Sequence, residues 1–128
     1  SMQSGVANRV TELLLFFEKD GISRMFPNAN FERGTLNDIW RITRETSVSK
    51  EHKACFPEKL VEQVLTYFSK ENDIIYDPFM GTGTTAAVAK RMNRKYIGSE
   101  ISEKYFDIIQ KRLNADHQNG EDIKLLVG

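Results

Sequence analysis

Residues Asp77 to Thr85 read Asp-Pro-Phe-Met-Gly-Thr-Gly-Thr-Thr, and this run constrains the chain more than any other. The apolar stretch Ile74-Ile75-Tyr76 leads into it, and a helical stretch over Gly83 to Met92 leads out. A strand that ends in an acid, turns on two glycines and opens a helix brings backbone close to a ligand, because glycine carries no Cβ. The opening turn of the helix adds unpaired N–H groups suited to an anion. The run predicts an α/β chain that holds a small polar cofactor at the carboxyl end of a strand.

The flanking periodicity fills in the elements. Val6, Val10, Leu13, Leu14 and Phe17 fall at helical spacing and predict a helix over Val6 to Lys19, stopped at Asp20-Gly21. Ser23 to Thr35 reads as loop, and Leu36 to Thr43 as a short strand around Asp38-Ile-Trp-Arg-Ile. Thr46 to Ala54 is polar and basic and reads as loop. Pro57 suits the first turn of a helix whose apolar face is Leu60, Val61, Val64, Leu65 and Phe68. After a turn at Asn72-Asp73, Ile74 to Tyr76 reads as a buried strand; a turn at Asn93-Arg94 precedes a second strand, Tyr96-Ile-Gly98. Ser102 caps a helix to about Leu113, with Tyr105, Ile108, Ile109 and Leu113 on one face. Asp116 to Gly120 reads as loop and Ile123 to Val127 as a last strand. Two short strands joined by a helix form a βαβ unit with parallel strands.

Composition narrows the class. A chain of 128 residues is at most one ordinary domain. Lys+Arg and Asp+Glu are both 18, so no global charge demands a polyanion, although a neutral chain can carry a basic face. The lone cysteine, Cys55, excludes an intramolecular disulfide and a Cys-rich metal site, and fits a reducing cytosol. His52 and His117 are too isolated for a metal site. No apolar run approaches the roughly 18 residues of a membrane span. Ser1 ahead of Met2 reads as a residue left by tag removal and is set aside.

The residues around the glycines choose among cofactors. Asp77 ends the first strand and Glu100 the second, and ligands in open α/β sheets bind outside such strand ends. Glu100 is placed to accept two hydrogen bonds from ribose hydroxyls, which points to an adenosine. Each acid also has a bland reading as helix cap, turn residue or surface charge. A nucleotide phosphate loop needs Gly-Lys-Ser/Thr, and Gly83 is followed by Thr84 and Thr85 instead. Gly81-Thr-Gly83-Thr-Thr-Ala86 does match the dinucleotide pattern, with Glu100 at the ribose position. Against a dinucleotide stands Asp77-Pro78-Phe79, since a carboxylate beside a pyrophosphate repels it. A carboxylate suits an ammonium group such as the amino-acid end of S-adenosylmethionine. Phe79 then covers an apolar or sulfonium-bearing part of the ligand, or simply packs in the core.

The run Asp77-Pro-Phe-Met-Gly-Thr-Gly-Thr-Thr-Ala-Ala-Val-Ala, followed by Arg94-Lys-Tyr-Ile-Gly-Ser-Glu-Ile-Ser-Glu-Lys-Tyr-Phe, resembles the cofactor-binding part of amino-methylating DNA methyltransferases. These make N6-methyladenine or N4-methylcytosine. Upstream, His52-Lys-Ala-Cys-Phe-Pro-Glu-Lys-Leu and Asp38-Ile-Trp40 resemble segments that precede the glycine motif in the β-type permutation of that family, although Lys53 departs from its commoner proline. The resemblance covers roughly Asn37 to Leu113. It implies a partial Rossmann-like α/β methyltransferase fold, the first βαβ unit plus flanking helices, with S-adenosylmethionine as cofactor. Residues 36–128 would be the cofactor-binding part, and residues 2–35 the tail of a target-recognition region or an N-terminal helix. Asp77 would hold the methionine amino group. Pro78, Phe79, Gly81 and Gly83 would line the pocket, and Thr84 and Thr85 would meet the carboxylate. Glu100 would bind the ribose, Ile101 would flank the adenine, and Phe56 and Pro57 would close the other side. No catalytic role falls to Cys55, since amino methylation needs no covalent cysteine.

The family's catalytic loop, Asp/Asn/Ser-Pro-Pro-aromatic, has no counterpart here: Pro27, Pro57 and Pro78 are each isolated. The chain is expected to be the C-terminal portion of such an enzyme, inactive alone and a poor binder of its cofactor. Its partner would be double-stranded DNA through the full enzyme, and its location a bacterial or phage-infected cytoplasm, on the nucleoid. Arg41, Arg44, Lys50, His52 and Lys53 form a basic run suited to phosphate contacts, or a solvated loop. The first strand lacks a neighbour on one side, which predicts self-association, segment exchange or cover by the N-terminal helix. Two other readings stand beside this one: a non-catalytic subunit or sensor for S-adenosylmethionine, and a fragment of an NAD-dependent oxidoreductase.

Overall fold

The computed structural model of the chain describes residues 11–19, 30–43 and 56–115. Its ordered centre is a βαβ unit with a helix on either side in sequence. The elements are α1 (Glu58–Phe68), β1 (Ile74–Asp77), α2 (Thr84–Arg91), β2 (Lys95–Gly98) and α3 (Glu103–Ala115). The two strands pair in parallel, Ile74 opposite Lys95 through Asp77 opposite Gly98. This register puts the two strand ends, and the acids that follow from them, side by side.

Two asparagines set that register from behind. Asn72 and Asn93 both have positive φ, 68° and 60°, a conformation asparagine tolerates better than most residues. Each turns the chain just before a strand. The Asn72 N–H donates to the Asn93 carbonyl at 2.8 Å, and the Lys95 N–H to the Asp73 carbonyl at 2.9 Å. The strands therefore start level and end level.

The core forms around α2. Ala86, Ala87, Val88 and Ala89 are all buried, because small side chains let the helix approach its neighbours on several sides at once. Leu65 from α1, Met80 beneath the glycine turn, Tyr96 from β2, and Ile109 and Leu113 from α3 complete the cluster. Among the described residues α2 is the helix that packs on the strands, while α1 and α3 pack on α2. No described element packs on the far face of the sheet: Ile74 is 60 % exposed and Tyr76 66 %, while Ile97 beside Tyr76 is half-buried. The expected strand at 74–76 exists, but only one of its faces packs toward the core, and Ile75 there is half-buried.

α1 begins after Pro57, whose φ of −58° is already compatible with helix. Its last carbonyls are met by groups far away in sequence. The Arg94 guanidinium donates to the Ser69 carbonyl (3.0 Å), the Leu65 carbonyl (3.4 Å) and the Ser69 hydroxyl (3.0 Å). The Asn30 amide donates to the Ser69 carbonyl at 2.6 Å and its N–H to the Tyr67 carbonyl at 2.7 Å. At the start of α3, Ser102 Oγ accepts from the Tyr105 N–H at 3.4 Å, as expected of a cap.

Two expected elements are absent from the described residues. The helix over Val6 to Lys19 does not form in its described part, residues 11–19. Leu13 and Phe17 stay 87 % and 89 % exposed, and without a face to bury a single helix of this length is marginal. Phe16 instead stacks on Phe68 at 4.4 Å. The strand over Leu36 to Thr43 is irregular as well. Trp40 folds back, its Nε1–H donating to the Asn37 carbonyl at 2.8 Å, and its ring lies 6.0 Å from that of Tyr67. The sheet of the described residues has two strands, and this segment pairs with neither. The loops expected at Thr46 to Ala54 and Asp116 to Gly120, and the strand at Ile123 to Val127, lie outside the described residues.

Candidate cofactor-binding site

The turn between β1 and α2 is stitched to the end of β2 by backbone. The Ser99 N–H donates to the Asp77 carbonyl (3.2 Å), the Met80 N–H to the Ser99 carbonyl (3.0 Å), and Ser99 Oγ to the Pro78 carbonyl (2.8 Å). Gly98 makes this closeness possible. A Cβ there would stand 2.0 Å from Met80 Sδ and 2.9 Å from the Asp77 carbonyl oxygen. Gly83, with φ of 79°, is the N-cap of α2, and a Cβ on it would press Ile109 at 3.0 Å.

The two acids meet at this turn. Asp77 Oδ1 accepts from the Phe79 N–H at 3.0 Å, and Oδ2 carries no hydrogen bond among the described residues. Glu100 reaches across from the end of β2. Its Oε2 accepts from the Gly81 N–H at 2.7 Å and its Oε1 from the Ser102 N–H at 2.9 Å. An ionised carboxylate has about four acceptor positions, so Glu100 keeps capacity for two more donors while its orientation is fixed by backbone. No atom lies within 4 Å of where a Cβ on Gly81 would sit, so the turn has open space beside the Glu100 carboxylate. The first turn of α2 has no side-chain cap and leaves its N–H groups for an anion.

The apolar candidates stand around this turn in solvent. Phe79 is 88 % exposed and Ile101 87 %, so Phe79 does not pack in the core. Phe56 is also exposed and precedes Pro57 at the start of α1. Pro78 is exposed and Thr85 half-buried. Thr84 is buried, and its hydroxyl accepts from Arg112 at 3.2 Å on the inner side of the turn, so of its two expected contacts to a carboxylate the backbone N–H is the one that remains. Of the basic candidates, Arg41 is exposed; Arg44, Lys50, Lys53 and His52 lie outside the described residues, as does Cys55.

Behind the turn sits a cluster that sequence reasoning missed. Arg112 of α3 donates to the Thr82 carbonyl (3.3 Å), to Thr84 Oγ1 and to Glu58 of α1. Glu58 also accepts from Arg91 of α2 at 2.9 Å, and Arg91 reaches Glu62 at 2.6 Å. Burial pushes the Glu58 carboxyl up, but hydrogen bonds from Arg112 and Arg91 outweigh it and hold the group below its ordinary value. The hydrogen bond to Glu62 is the main cause of the upward shift of Arg91. One signal was present in sequence. Arg112 follows Ile109 by three residues and Ile108 by four, so a charge sits on the apolar stripe of α3.

The model of the N6/N4 DNA methylases matches residues 6–111. The chain belongs to this DNA methylase family. Its similarity to individual methylases is substantial but partial. It is 49 % identical over 88 residues to the orphan methyltransferase M.BamHII of Bacillus amyloliquefaciens, covering 64 % of this chain and 33 % of that protein. It is 38 % identical over 113 residues to the type II methyltransferase M2.LlaDCHI of Lactococcus lactis subsp. cremoris, covering 81 % and 42 %. Among solved structures, the M1.HpyAVI–SAM complex matches with a TM-score of 0.56 and 30 % identity over 67 % of this chain and 44 % of that one. The chain thus spans about a third of M.BamHII and less than half of the others. The two parallel strands and three helices of this methylase chain are part of the Rossmann-like α/β fold of that class.

Proposed function

We propose that this chain holds S-adenosylmethionine for methyl transfer to an exocyclic amino group in DNA, N6 of adenine or N4 of cytosine, as the C-terminal portion of a larger methyltransferase. Residues 36–128 form the cofactor-binding part in this reading. One observation carries it: Glu100 is locked by the Gly81 and Ser102 N–H groups at the mouth of the glycine turn, with Asp77 Oδ2 free beside it. The residues present fit the cofactor. Glu100 accepts from the ribose hydroxyls, and Asp77 faces the ammonium group. The N–H groups opening α2, at Thr84 and Thr85, take the carboxylate. Phe79 and Ile101 lose their exposure against the ligand, and Phe56 and Pro57 close the opposite side. Bound S-adenosylmethionine supplies an electrophilic methyl group to an amine.

The three prolines of the 128-residue sequence are isolated, so the loop that would accept hydrogen bonds from the target amine and stack on a flipped base is not among these residues. The purified chain is expected to bind adenosylhomocysteine weakly and to methylate no DNA. Titration calorimetry on the wild type, Glu100→Gln and Asp77→Asn tests the reading. Each substitution is expected to weaken adenosylhomocysteine at least about tenfold, the equivalent of about 1.4 kcal/mol. Unchanged affinity in both variants, or binding of NAD in preference to adenosylhomocysteine, overturns it. Robust methylation of DNA by the chain alone would remove the division of labour.

A further inference from the structure

We infer that Arg112, braced by Glu58, is the positioning residue that fixes the glycine turn and ties it to the Phe56-Pro57 flank of the same site. The purpose of this brace rests on the cofactor reading above, but its geometry stands independently. The turn alternates in character: Gly81 and Gly83 carry the positive φ values, while Thr82 and Thr84 between and after them are buried. Two glycines in succession with one intervening residue leave a backbone with many accessible shapes. One adjacent pair of groups is held from opposite sides. On the outer side, Glu100 accepts from the Gly81 N–H at 2.7 Å. On the inner side, Arg112 donates to the Thr82 carbonyl at 3.3 Å and to the Thr84 hydroxyl at 3.2 Å.

The other end of the guanidinium fixes α1. Glu58 follows Pro57 directly, in the first turn of that helix, and it receives both Arg112 and Arg91. One planar fork therefore spans α3, the glycine turn and the start of α1, three sides of the proposed pocket. Lysine cannot replace it. An ammonium group can keep the pair with Glu58 but lacks the rigid fork that meets a carboxylate, a carbonyl and a hydroxyl together. Arg112 touches no reacting atom in this arrangement. It acts through the shape of the loop.

Two variants separate positioning from general stability. Arg112→Lys keeps the charge, and Thr84→Val removes the hydroxyl acceptor while leaving the Glu58–Arg112 pair in place. Amide hydrogen exchange in each is expected to rise about tenfold or more at residues 81–84 and to stay unchanged in α3 and β2, the pattern of a local opening. Affinity for adenosylhomocysteine is expected to fall in step. Wild-type exchange at 81–84 in a folded Arg112→Lys chain overturns the brace, and so does a uniform rise across the molecule. If Arg112→Lys does not fold, Thr84→Val decides by the same comparison. A wild-type chain that binds no adenosylhomocysteine counts against the cofactor reading alone, since the exchange pattern is read without ligand.

Discussion

At the scale of single residues, Gly98 shows how a site depends on an absent atom. It ends β2 opposite Asp77, and its missing side chain lets Met80 lie under the turn and the Asp77 carbonyl approach. Gly98→Ala is expected to destabilise the chain by about 1–3 kcal/mol, the usual cost of overpacking, and to weaken cofactor binding by displacing the turn. Thermal denaturation and calorimetry check the two effects. The sequence displayed the acids and the turning glycines openly, since their order along the chain is also their order around the site. It did not display Gly98 as a packing requirement or Arg112 as a support. Both roles are defined by neighbours 18 or more residues away, and no local pattern encodes such a distance.

At the scale of elements, periodicity was a good guide wherever a partner existed to receive the apolar face. The helices that became α1, α2 and α3 and the two strands all belong to the βαβ core, and their limits fall within a few residues of those expected. Periodicity misled at residues 11–19, where Leu13, Leu14 and Phe17 are spaced for a helix but find no surface to cover. It misled again at 36–43, where Trp40 turns back on Tyr67 in place of forming a strand. Joints between elements were invisible beforehand. Arg94 supplies several donors to the end of α1, so Arg94→Ala is expected to cost about 1.5–3 kcal/mol in urea unfolding, the range for bonds to a charged group.

The Glu58 joint also predicts a pH response. Its carboxyl is held below its ordinary value of 4.5, so the contribution is fully present above that value and is lost as pH falls further, through the folded value. Arg91 also pairs with Glu62, which lies near Lys59. Glu58→Gln is expected to flatten the acid limb of a stability–pH profile. An unchanged limb would mean that the pair does not stabilise the fold.

At the scale of the whole molecule, the asymmetry of the sheet matters most. Parallel sheets are ordinarily covered on both faces, yet here the described helices lie together on one side. Ile74 and Tyr76 are left in solvent on a strand with one paired edge. The purified chain is expected to self-associate with rising concentration, and Tyr76→Lys to shift it toward monomer in light scattering while leaving α2 and its contacts intact. A monomer at all concentrations would show that this face is tolerated as it stands.

The alanines of α2 carry one more implication. Ala86, Ala87 and Ala89 present only methyl groups beside the larger Val88, so this helix sits close to its neighbours. At the hub, a single added carbon forces every surrounding part outward together.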